Sequence, residues 1–138
     1  MKIKSILLVL CLLFCTTTTL NQQKTILLHI VVYNEYPFFK KVFSEPFETL
    51  LLIFRDGTMI TITAQLENVI PVSAWTIREI IGKHDKKIED ITLAIHNHLI
   101  PMRESFGNKY VYKKLKESGF KGVFCIYYPF SGKVRALK

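Results

Sequence analysis

An α/β (α+β) fold, a mixed β-sheet with two flanking helices, is predicted by three features of the sequence. Apolar, β-branched runs of strand length recur along the chain. Two stretches of helical periodicity, at residues 75–82 and 108–118, interrupt them. An Asp-Gly pair at 56–57 joins two of the runs. Sheets and helices in this order must bury their apolar faces against each other, which gives a layered domain.

Residues 25–33 (TILLHIVVY) read as the first strand. Residues 34–41 are irregular and include Pro37. Residues 47–54 (FETLLLIF) form the second strand, ended by Arg55-Asp56-Gly57. Asp-Gly between apolar runs is a strong hairpin signal. Residues 58–66 (TMITITAQL) alternate as the hairpin partner should, and 69–72 are short and extended. Ser73 can cap a helix over 75–82, with Ile77, Ile80 and Ile81 on one side and Gly82 near its end. Residues 88–95 are a buried strand running into His96-Asn97-His98. The second helix, 108–118, carries Val111, Tyr112 and Leu115 as an apolar stripe and stops at Gly119. Residues 122–128 (GVFCIYY) are a strand, Ser131-Gly132 a turn, and 134–137 a short final strand. The order is β-β-β-α-β-α-β-β.

The length of 138 residues predicts one domain. Hydrophobic residues make up 49% and charged residues only 22%, a balance that argues against disorder. Residues 1–20 stand apart. Lys2 and Lys4 precede an apolar run from 6 to 15, and small polar residues follow at 16–19. This is the anatomy of a signal peptide or of an N-terminal anchor, too short to span a bilayer comfortably. The prediction is an exported domain over 21–138, whether secreted, periplasmic or membrane-anchored through residues 1–20. Cys15 follows Leu13-Phe14, where a lipoprotein signal carries a small residue, which argues against lipidation. Cleavage would remove two lysines and no acid, lowering the net charge from +8 to +6 (17 basic, 11 acidic). Only Cys125 would remain, unable to staple the fold and expected as a small buried hydrophobe.

The chemistry concentrates at 95–108. Side chains alternate across a strand, so His96 and His98 point the same way and both can grip one metal ion. Ends of buried strands are where α/β proteins place their sites. A chance HxH, with Ser105 and Asn108 as a loop cap and helix start and Glu48 as a solvated strand-end charge, is the plain alternative. His29 lies in an apolar strand and reads as a core histidine. His84, within Lys83-His84-Asp85-Lys86-Lys87, reads as exposed.

Ala94-Ile95-His96-Asn97-His98 after a buried strand, Arg78-Glu79 on the preceding helix and Ser105-Phe106-Gly107-Asn108 opening the next together resemble the MPN/JAB (JAMM) metalloprotease fold, closest to its RadC-like branch. The resemblance covers roughly residues 43–138. It implies a Zn²⁺ site with His96, His98 and Asn108 as ligands, Ser105 as oxyanion donor, and Glu48 or Glu45 as general base. Glu48 opens the apolar strand directly, whereas Glu45 precedes Pro46. The implied activity is hydrolysis of peptide, isopeptide or small amide-conjugate bonds. Three positions depart from the family. Leu99 replaces a proline, six residues rather than seven separate His98 from Ser105, and Asn108 stands where the family has aspartate. An amide oxygen is a weaker zinc donor than a carboxylate. Glu104 is the alternative source of a carboxylate. A degenerate site would instead make the chain an inactive exported binding module for a protein partner.

Lys109, Lys113, Lys114, Lys116 and Lys121 cluster around the second helix, with Tyr110 and Tyr112 between them. They form either a patch for an anionic surface or a solvated helix face. No nucleic-acid motif accompanies them, and the export signal argues against a nucleic-acid role. Membrane contact is expected only through the N-terminal segment.

Overall fold

The computed structural model describes residues 28–33, 39–44, 46–64, 73–99 and 106–138. The N-terminal segment and the extended stretch expected at 69–72 lie outside them. Strands β1 (Leu28–Tyr33), β2 (Thr49–Phe54), β3 (Met59–Ala64), β4 (Ile91–Asn97), β5 (Val123–Tyr128) and β6 (Lys133–Ala136) form one sheet in the order β1-β3-β2-β4-β5-β6. Among the described residues only β4 and β5 pair in parallel, so the sheet is mixed and the fold is α+β. Helices α1 (Phe39–Val42), α2 (Ala74–Gly82) and α3 (Phe106–Glu117) complete the described elements, with a 3₁₀ turn at Ile88–Asp90.

The β2–β3 hairpin follows its turn chemistry. Gly57 takes φ +86°, a conformation that glycine adopts without steric cost. The Asp56 carboxylate accepts from the Thr58 amide at 3.0 Å, and Phe54 N–H donates to Thr58 C=O at 2.9 Å. β2 is buried along its whole length because both faces of the sheet are covered there. On one face Leu50, Leu52, Phe54, Ile60, Ile62, Ala94, Phe124 and Ile126 pack against Ile77, Ile80 and Ile81 of α2 and Leu115 of α3. On the other, Leu51, Ile53, Met59, Ile95 and Cys125 meet Val42 and Phe43 at the end of α1. Cys125 is buried and free, and burial pushes its thiol up.

The element bounds differ from the sequence expectation at informative places. A single turn of helix, α1, occupies the end of a stretch expected to be irregular. Ser73 caps α2 as expected, accepting from Thr76 N–H at 3.1 Å. β4 starts at Ile91, because Asp90 closes the 3₁₀ turn and its carbonyl takes the Arg55 amide at 2.8 Å. β4 also runs on through His96 to Asn97. α3 begins two residues early, which places Asn108 inside its first turn. Among the described residues no helix is long and apolar enough to cross a membrane.

Gly122, at the entry to β5, tests the packing against β4. A Cβ there would lie 2.5 Å from Thr92 O and 2.6 Å from Ile91 O, both backbone atoms that cannot swing aside. Gly122→Ala is expected to destabilise the domain by about 3 kcal/mol, the upper end of overpacking costs, read as a lower urea midpoint at unchanged m-value.

Candidate metal centre

Strand alternation builds the site. Leu50 of β2 pairs with His96 of β4, and both project to the face covered by α2 and α3. Glu48, two residues before Leu50, and His98, two after His96, therefore share that face. The His98 amide donates to Tyr127 C=O at 2.9 Å, which carries the strand geometry one residue beyond β4. Asn108 reaches the same point from the first turn of α3.

All four side chains are buried, each less than a tenth exposed. Glu48 Oε2 lies 3.2 Å from His96 Nε2. On the other side of that ring, His96 Nδ1 donates to Asn108 Oδ1 at 3.1 Å. The Asn108 Nδ2 group donates to His98 Nε2, so that nitrogen presents a lone pair. The two rings meet edge-on with centroids 5.0 Å apart. Burial lowers the His98 pKa below its ordinary 6.5. The neighbouring His96 lowers it further, against an upward pull from Glu48. His98 is thus neutral at neutral pH, the form that can bind a metal ion.

Glu48, His96 and His98 each offer a ligand atom, and these atoms lie within 4.8 Å of one another. Two imidazoles and a carboxylate suit a divalent transition metal. Two ligands on one tetrahedral zinc stand roughly 3.4 Å apart, given bond lengths of about 2.1 Å. The Glu48–His96 pair already has a comparable separation, so the donor set fits an ion with small side-chain adjustments. Asn108 stands against both histidines, its oxygen turned to His96 and its nitrogen to His98.

The remaining expected site residues fall into two groups. Ser105, Glu45 and Glu104 lie outside the described residues. Arg78 and Glu79 are exposed on α2, and Arg78 reaches the Ser118 carbonyl beyond the far end of α3, away from the histidines. His84 is exposed, as the sequence indicated.

Sequence reasoning missed Asn97. It sits between the histidines, is fully buried, and its Oδ1 accepts the Thr49 amide at 2.5 Å from the opposite face of β4. Polar character inside an otherwise apolar strand was the available signal.

The basic face of α3 is engaged locally. Lys114 pairs with Glu117 at 2.7 Å, and the Lys116 ammonium lies 4.3 Å from the Tyr112 ring centroid. Comparison with protein-family models, with curated proteins and with solved structures gives no match.

Proposed function

We propose that this chain is a zinc-dependent hydrolase of amide or isopeptide bonds, exported by its N-terminal segment. The observation that carries the reading is the buried meeting of Glu48 with His96 and His98, drawn from two neighbouring strands onto one face. A carboxylate and two imidazoles sharing a buried space are costly to hold without a purpose, since each must be desolvated.

His96 and His98 would hold the ion, with Asn108 Oδ1 as a neutral third donor. Zinc supplies Lewis acidity, polarising a carbonyl and bringing the pKa of water towards neutrality. Glu48 takes the proton from the attacking water and passes it to the leaving amine. Burial around Glu48 excludes bulk water, which strengthens the polar contacts within the site.

The test uses purified protein loaded with zinc and a panel of peptide and isopeptide amides. Glu48→Gln is expected to retain zinc and to lose turnover by about 10²–10⁴-fold, the contribution typical of a general base. Loss of zinc in Glu48→Gln would instead make Glu48 a ligand.

One observation favours a second reading, an inactive module that binds a protein partner. Asn108 hydrogen-bonds both histidines through an amide, a neutral and weaker metal donor than a carboxylate would be at that position. Folded wild-type protein that takes up no added zinc would select this reading.

A further inference from the structure

We infer that Asn97 is a positioning residue for Glu48, acting from the opposite face of the sheet; this rests on the reading of Glu48 as a working group of the site. The backbone ladder between β2 and β4 ends at the Leu50–His96 pair. One residue further out, the Thr49 amide finds no β4 carbonyl and donates to the Asn97 side chain at 2.5 Å. Thr49 follows Glu48 directly, so this bond fixes the backbone from which the Glu48 carboxylate projects. The same strand holds His96 and His98 on either side of Asn97. One side chain therefore sets the spacing between the carboxylate just before β2 and the imidazoles at the end of β4.

Two further observations support the assignment. Asn97 is fully buried, and its Nδ2 group has no hydrogen-bond partner among the described residues. An unpartnered buried donor is a net cost, which an apolar side chain of similar size would avoid. The acceptor Oδ1 is the part of Asn97 that does something an apolar residue cannot. Thr49 is held on its other side as well, where its hydroxyl meets the Thr63 hydroxyl of β3 at 2.9 Å. Thr49 is thus tied on both flanks at the point where Glu48 leaves the sheet.

The test is imidazole ¹⁵N–¹H spectroscopy of the metal-free protein at fixed neutral pH, on wild type, Asn97→Leu, Glu48→Gln and the double variant. Glu48→Gln is expected to move the His96 ring nitrogens, because it changes the group 3.2 Å from Nε2. Asn97→Leu is expected to move them the same way, and the double variant to coincide with Glu48→Gln. The Thr49 amide should exchange roughly tenfold faster in Asn97→Leu, as one buried hydrogen bond is lost. Should leucine prevent folding, Asn97→Ala removes the same acceptor without filling its space. His96 resonances unchanged from wild type, or shifts that simply add in the double variant, would overturn the assignment. Zinc stoichiometry of the wild type is measured beside these spectra. Expected spectra with no bound zinc would keep the role of Asn97 and remove the metal reading. Bound zinc with unmoved His96 resonances would do the reverse.

Discussion

Asn108→Asp is expected to bind zinc at least about tenfold more tightly than the wild type, and to be less stable without it by about 1–3 kcal/mol. The two effects have one cause. The asparagine amide has two chemically different ends, and the site uses both: the oxygen accepts from His96 and the nitrogen donates to His98. A carboxylate can only accept. In the metal-free protein it takes the donor away from His98 Nε2 and adds a second buried anion near Glu48. In the loaded protein the same carboxylate is a charged ligand where the amide is a neutral one. Isothermal titration with zinc and urea unfolding in chelator therefore read opposite signs from one substitution. Equal zinc affinity in the two proteins would remove Asn108 from the ligand set.

His96→Ala/His98→Ala is expected to abolish stoichiometric zinc binding. One ion per chain in the wild type should fall to none, measured by elemental analysis after dialysis. Binding linkage provides a second readout. Zinc held at a hundredfold excess over its Kd stabilises a folded site by about 2.7 kcal/mol. For a chain of this size that corresponds to a Tm rise of roughly 5–15 °C. The double variant should show no rise at the same zinc concentration. A rise that persists in it would place the ion elsewhere.

Much of the fold was legible because local rules and tertiary packing agree. Asp56-Gly57 marked the β2–β3 hairpin, Ser73 marked the start of α2, and Gly119 marked the end of α3. The order of strands in the sheet was not legible. That β1 lies on the edge beside β3, and that β5 runs parallel to β4, are set by which apolar faces meet, and no local pattern records this. At the site, the HxH spacing was enough to put both histidines on one face, whereas Glu48 was expected beside them only through the family resemblance; the structure brings the three together. The contribution of Asn97 was hidden because it depends on where the β2–β4 ladder stops. The bridging of both histidines by Asn108 was hidden as well, since it depends on where the first turn of α3 meets β4.

The last strand of the sheet carries a consequence for how copies of the protein behave toward one another. β6 pairs with β5 on one side and is exposed at all four positions, with Phe130 almost fully exposed just before it. Among the described residues no strand pairs with its outer side, and an edge of this kind is a template onto which a second copy's strand can add, the first step towards aggregation. Here the strand is short and carries Lys133 and Arg135. Two molecules meeting edge to edge would bring like charges together along the seam. Charges on a short edge strand disfavour such edge-to-edge addition, so Lys133 and Arg135 act against open-ended growth of the sheet.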